Sequence, residues 1–360
     1  MTDPSRRNAE IERTFRQQAT QCREMGSAIY ADLLTRCADD FAAGGLVARV
    51  VADWQGHPVL DNLPLRLVGA AHFLALDGRA PALAACLPST GGRYAAEPAW
   101  RALREVLEAH AERVRVHLAE QVQTNEVRRC CALLGGFLAI ARRFPAPLRL
   151  LEIGASAGLN QCFEQYRYEL GPQRFGPADA PLTLACEWRG AALDLRGELV
   201  VASRAGCDVA PIDLANPAAR LRLESFLWPD QLERLARLRA ACDCALRAGV
   251  RIERMPAGAW LERELSAPVR GRTSVLFHSV MWTYVPEAER NRIGALVDAA
   301  GARATPEAPL AWLRMEGTHL EFCEVRLRTW PEGEDRQLAR CHYHGAWVEW
   351  LEERHPSAPA

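Results

Sequence analysis

The sequence contains no lysine, and all 44 of its basic residues are arginine. Chemistry that needs the chain's own lysine is excluded. Schiff-base aldolases, pyridoxal-phosphate enzymes, P-loop hydrolases and protein kinases all fall away. Arginine is no substitute, because it does not deprotonate usefully in a protein. Long apolar runs are also missing, since none reaches the roughly 18 residues of a membrane span. There is no Cys-x-x-Cys pair. Cys130-Cys131 and Cys242-x-Cys244 come closest, and neither spacing suits structural zinc. The 12 cysteines are scattered along 360 residues, so they read as small core residues rather than a disulfide scaffold. Residues 1–15 show no apolar core of a secretory signal. The expectation is a reduced, cytoplasmic protein. A net charge of -1 gives no basic field for nucleic acid or an anionic membrane. Oligomeric state is not legible.

What is present changes character near residue 145. Before it, apolar residues recur at helical spacing: Ile11, Phe15, Ala19, Cys22, Met25, Ile29 and Leu33; then Trp100, Leu103, Leu107, Val114 and Leu118; then Val127, Cys130, Leu134, Phe137 and Ala141. His110 and His117 read as helix-edge histidines. Thr124-Asn125-Glu126 opens the last of these helices as an N-cap with an acidic first turn. Phe144-Pro145-Ala146-Pro147 stops it. Two domains are expected: a helical domain or cap at 1–145 and an α/β domain at 146–355.

In the second part, strands alternate with helices. Strands are predicted at Leu148–Ile153, Leu199–Ala202, Val250–Met255, Ser274–Val280 and Leu310–Met315. A helix is predicted from Leu159, and others follow Pro229, surround Trp260 and start at Pro286. Two strands, Cys323–Trp330 and Gln337–His344, then follow as a hairpin. Arg167 to Arg196 reads as an insertion. The pattern implies a mostly parallel Rossmann-like sheet with ligands at the carboxyl ends of its strands.

The segment Leu150-Leu151-Glu152-Ile153-Gly154-Ala155-Ser156-Ala157-Gly158-Leu159-Asn160, set in this strand order, resembles the first strand and glycine loop of class I S-adenosylmethionine-dependent methyltransferases. The resemblance covers about 145–350. It implies an α/β fold of that type, with a mostly parallel sheet, an antiparallel C-terminal hairpin and a preceding helical domain. It also implies S-adenosylmethionine as cofactor and methyl transfer to a small-molecule acceptor. Glu152, Gly154, Ala155, Ser156, Gly158 and Asn160 are implied to hold the cofactor, with Ser156 standing where the middle glycine usually does. Asp208, after the second strand, is implied to bind ribose hydroxyls; beside Pro211 it also reads as a turn former. The acid expected after the third strand, for adenine, is replaced by Met255-Pro256-Ala257.

A closer resemblance is to an uncharacterised bacterial family, domain of unknown function 2332. It rests on Gln123–Glu126, Leu151–Asn160, Arg204–Asp213, Phe226–Gln231 and His344–Trp347, and it transfers no activity.

Within this frame His278, at the carboxyl end of the fourth strand, is the expected base for an acceptor that must lose a proton. Glu316 is a second candidate, and Tyr284 an orienting hydroxyl beside Trp282. The absence of Asp/Asn-Pro-Pro-Tyr argues against methylation of planar amino groups of adenine. Gln123, Asn125 or Glu126 is expected to point toward the glycine loop.

Other readings stay open. Gly154-x-Ser156-x-Gly158 also spells the nucleophile elbow of serine hydrolases, with a histidine such as His344 completing a triad; the long helical region before it speaks against that arrangement. A methyltransferase-like binder without transfer chemistry is the third reading. His342-x-His344, read on the strand Gln337–His344, would present both rings to one face and could bind a metal with His319, His278 or Glu316. That is the lesser alternative, and no metal is expected.

Overall fold

The computed structural model describes residues 4–317 and 321–351. The chain divides into two compact units, 1–124 with 215–237, and 125–214 with 238–360. This division differs from a single break at 145. The helix before that break belongs with the sheet, because its glycines and aromatic face pack on strands, as described below.

The first unit is helical: α1 (Pro4–Glu24), α2 (Ala28–Ala42), α3 (Leu46–Val50), α4 (Leu63–Leu76), α5 (Pro81–Ala84), α6 (Ala96–Ala109) and α7 (Ala111–Leu118). Its predicted stripes pack with α4, which the sequence reading missed, into one core including Phe15, Leu34, Leu67 and Leu103, while Met25 of the first stripe is exposed. His110 lies between α6 and α7, and His117 sits beside Glu120 at 3.2 Å. Residues 215–237 add a later helix, Pro217–Ser225. Its C-terminal carbonyl, at Ser225, bonds the buried His72 ring, and Asp230 accepts from the Ser27 hydroxyl that caps α2.

The second unit begins with α8 (Cys130–Arg143) and an 11-stranded sheet: β1 (Leu148–Ile153), β2 (Arg167–Leu170), β3 (Gln173–Phe175), β4 (Thr183–Gly190), β5 (Val201–Asp208), β6 (Ile252–Arg254), β7 (Thr273–Ser279), β8 (Leu310–Gly317), β9 (Cys323–Trp330), β10 (Asp335–Cys341) and β11 (Trp347–Trp350). The remaining helices are α9 (Pro217–Ser225, in the first unit), α10 (Leu232–Arg247), α11 (Ala257–Glu264) and α12 (Glu287–Gly301).

The sheet order is β3-β2-β4-β11-β10-β9-β8-β7-β1-β5-β6. The stretch β6-β5-β1-β7-β8 is parallel throughout and follows the Rossmann order 3-2-1-4-5, with its switch point between β1 and β7. β8, β9 and β10 continue as an antiparallel meander containing the expected hairpin. Residues 167–196 are not a plain insertion. They supply β2, β3 and β4, which join the sheet through the unanticipated β11.

Two faces follow from strand alternation. Leu151, Ile153, Leu276 and Trp312 pack with Trp260, Leu261, Ile293 and Val297 of α11 and α12. On the other face Phe137 of α8 stacks on Phe163 at 3.7 Å and meets Phe277 edge-on at 5.3 Å. Gly135 and Gly136 let α8 lie directly against Trp350 and Leu313. All 12 cysteines are free thiols, 11 of them buried.

Candidate functional site

β1 ends at Ile153, and the chain then turns through Gly154 (φ 63°), Ser156 (φ 53°) and Gly158 (φ 72°). Left-handed φ suits glycine, and Ser156 adopts it too. Close approach also matters. A Cβ on Gly154 would stand 2.8 Å from Met281, and one on Gly158 2.6 Å from Val250. The predicted helix from Leu159 is instead a 3-10 run, Leu159–Gln165, because Gly158 caps it in the left-handed region and Cys162 leaves helical geometry.

Each backbone N–H from 155 to 159 already has an internal acceptor. Ala155 donates to the Cys207 carbonyl (3.1 Å) and Gly158 to the Ala155 carbonyl (2.7 Å). Ser156 donates to Asp208 Oδ2 (2.8 Å). Ala157 and Leu159 both donate to Asn125 Oδ1, at 3.1 and 3.2 Å. Asn125, buried and at φ 36°, is thus the member of its segment that reaches the loop. Glu126 turns back to its own helix start, accepting from Arg128 N. Gln123 lies in the first unit. Asp208 spends its second oxygen on Ala210 N (2.8 Å), so both its oxygens brace the turns around it. Asn160 is also an internal strut, donating to Ser279 Oγ and accepting from the Cys130 thiol.

Glu152 is different. It is 2% exposed, and its Oε2 has no hydrogen-bond partner. Burial pushes its carboxyl up to about 8; the amides of Gln161 and Asn160 and the Arg129 charge temper this, while Asp208 adds to it. At neutral pH the group is mostly the neutral acid.

One strand over, His278 stands level with Ile153 on the face opposite Glu152, as the Glu152–Phe277 pairing requires. Its side chain is fully buried. Nδ1 lies 2.6 Å from Glu316 Oε1, and Nε2 has no partner. Glu316 also accepts from Met281 N and Trp282 N, at 3.2 and 3.1 Å. Glu316 thus gathers the His278 ring and two backbone amides. The carboxylate favours the Nδ1–H tautomer, leaving the Nε2 lone pair available. Trp282 stacks on the ring at 5.0 Å, and Val280 at φ 50° turns the chain so that both amides reach Glu316. A β-branched residue in that region is strained backbone at a strand end, where such strain often serves a site. Tyr284 is 70% exposed on the same connection.

Arg129 bonds the Ser279 and Tyr343 carbonyls, and Arg128 the His344 carbonyl. Gly345 leaves room for the Arg128 backbone. The stretches around 125 and 345 therefore meet over the strand ends. His342 and His344 lie in the turn after β10, not on a strand, and His342 Nδ1 accepts from His344 N at 2.9 Å. Among the described residues no group of three or more His, Cys, Asp or Glu could hold a metal, and His319 lies outside them. Gln161 and Met281 were not anticipated; Gly206 on β5, which gives Gln161 space, was the available signal.

A family described as uncharacterized proteins conserved in bacteria, DUF2332, matches residues 12–350, and the chain belongs to it. No curated protein and no solved structure matches the chain.

Proposed function

We propose that the chain binds S-adenosylmethionine at the carboxyl end of β1 and transfers its methyl group to a small-molecule acceptor. The observation that carries this reading is the polarity of the loop. Its N–H groups from 155 to 159 are consumed internally, while a buried carboxyl beneath it lacks a partner. A phosphate-binding loop needs free N–H groups. This loop has carbonyl lone pairs and Glu152 to offer, and those suit a cation. The residues present therefore fit a sulfonium cofactor carrying an ammonium group better than a dinucleotide.

S-adenosylmethionine, when bound, supplies an activated methyl, so no redox partner is needed. The chain's residues then orient and exclude water. Glu152 faces the positive charge, Gly154 and Gly158 permit close backbone approach, and Asn125 and Asp208 keep the loop in shape. Asp208 supports the ribose end through the loop it braces. His278, fully buried on the face opposite Glu152, is held by Glu316 away from this loop and is left out of the transfer step, while the exposed Tyr284 hydroxyl orients the acceptor.

The serine-hydrolase alternative weakens on the same observation. The N–H after an elbow serine normally contributes to the oxyanion hole, and here Ala157 N donates to Asn125. A binder without transfer chemistry would share the loop and differ only in turnover. Thermal shift with S-adenosylhomocysteine tests the reading. With 1 mM ligand and affinity near 10 µM, stabilisation of about 2.7 kcal/mol is expected. No shift and no calorimetric binding would overturn it.

A further inference from the structure

Three polar atoms beneath the glycine loop form no hydrogen bond of normal geometry: Glu152 Oε2 and both terminal atoms of Gln161, Oε1 and Nε2, although the Gln161 amide lies near enough to Glu152 to hold its carboxyl down somewhat. Gln161 is fully buried and sits in the 3-10 run directly after the loop. Its Nε2 lies 2.5 Å from where a Cβ on Gly206 would stand, and Gly206 is the β5 partner of Glu152. The amide and the carboxyl thus share one compartment over the β1–β5 pair. Buried polar groups are nearly always paired, so three orphans in one place call for an occupant. The orphans comprise two acceptor-capable oxygens and one donor.

We propose that Gln161 is a ligand-binding residue that reads the α-amino-acid end of the cofactor. The inference rests on the reading of the loop given above. An ammonium group offers three donors, enough for Glu152 Oε2 and Gln161 Oε1 together, and the adjacent carboxylate accepts from Gln161 Nε2. The pair thereby distinguishes an amino-acid tail from a ligand ending in a plain alkyl group. Leaving the amide unmatched is what penalises the wrong ligand.

Calorimetry with the full chain tests this. The probes are S-adenosylhomocysteine and 5′-methylthioadenosine, which share the nucleoside and thioether but differ in the amino-acid tail. The wild type should bind the first at least about tenfold more tightly. Gln161→Met keeps the side-chain length and suits a buried site. It should weaken S-adenosylhomocysteine by about tenfold or more while leaving methylthioadenosine within about twofold. Gln161→Asn, which retains the amide one methylene short, should show the same split and serves if the Met variant does not fold. Equal losses for both ligands would make Gln161 a structural residue and overturn the proposal. So would unchanged S-adenosylhomocysteine affinity, or a wild type that binds both equally. A wild type that binds neither would instead overturn the loop reading on which the proposal stands.

Discussion

Glu152 at the end of β1 and Glu316 at the end of β8 stand two strands apart in one sheet, and the protein treats them oppositely. Glu316 collects the His278 ring and two backbone amides. Glu152 is enclosed with one oxygen unpartnered, and its carboxyl rises to about 8. Burial without full hydrogen bonding favours the neutral form of a carboxyl. The first arrangement fixes a side chain in place. The second leaves an unmet polar demand, and in this sheet it lies under the loop at the switch point.

The largest expected effect of breaking this contrast is on stability against pH. The native carboxyl of Glu152 holds its proton up to about 8, against 4.5 for an ordinary glutamate. Below pH 4.5 both folded and unfolded states are protonated, and the group is neutral to stability. Between 4.5 and 8 the unfolded chain ionises and the native one does not, so stability falls as pH rises. Above 8 the difference is constant. The full loss is about 5 kcal/mol as an upper figure. Arg129, Asp208 and the thiols of Cys130 and Cys207 are the charged or titratable groups that reach this carboxyl. Glu152→Gln should flatten the profile, so that urea unfolding at pH 8.5 shows the variant more stable than the wild type. A wild type with no loss between pH 5 and 8 would mean that Glu152 is already ionised and paired.

Removing the other carboxylate should do the reverse. Glu316→Ala strands two half-buried amides and the Nδ1–H of the buried His278, at about 1 kcal/mol each, for a net loss of about 2–3 kcal/mol. Urea unfolding at three pH values measures it. A change below about 0.5 kcal/mol would show that the Glu316 clamp is not formed.

The difference between the two carboxylates was only partly written in the sequence. β1 was legible to its ends, since an apolar run closed by glycine reads as a buried parallel strand. The position of Glu152 before the loop came with it, as did α1, α2, α6 and α7 of the first unit, whereas α3, α4 and α5 were not read. The strands at 167–190 were not legible, because β4 alternates irregularly between exposed and buried positions and β3 is three residues long. Nor could the sequence show that the Asp208 oxygens go to Ser156 and Ala210. That depends on the register of β5 against β1, which long-range pairing sets. Gln161 escaped notice because a helix from Leu159 would have pointed it elsewhere. Only the 3-10 run brings it over Gly206.

The smallest expected effect sharpens the same comparison at the loop. Ser156 holds φ 53°, a conformation that disfavours side chains and that glycine adopts freely. Ser156→Gly relieves that strain but frees the unfolded backbone, and the two changes offset to within about 1 kcal/mol. The Ser156 amide remains to donate to Asp208, so the loop should keep its shape. Affinity for S-adenosylhomocysteine is expected to stay within about threefold of wild type, a difference under 1 kcal/mol. Ester hydrolysis, if the wild type shows any against p-nitrophenyl acetate, should also be unchanged. A nucleophilic serine would give the opposite pattern, with hydrolysis abolished and cofactor binding absent from the start. Because glycine preserves the backbone while deleting the hydroxyl, this substitution separates the conformation of residue 156 from its chemistry, and the loop reading requires the conformation alone.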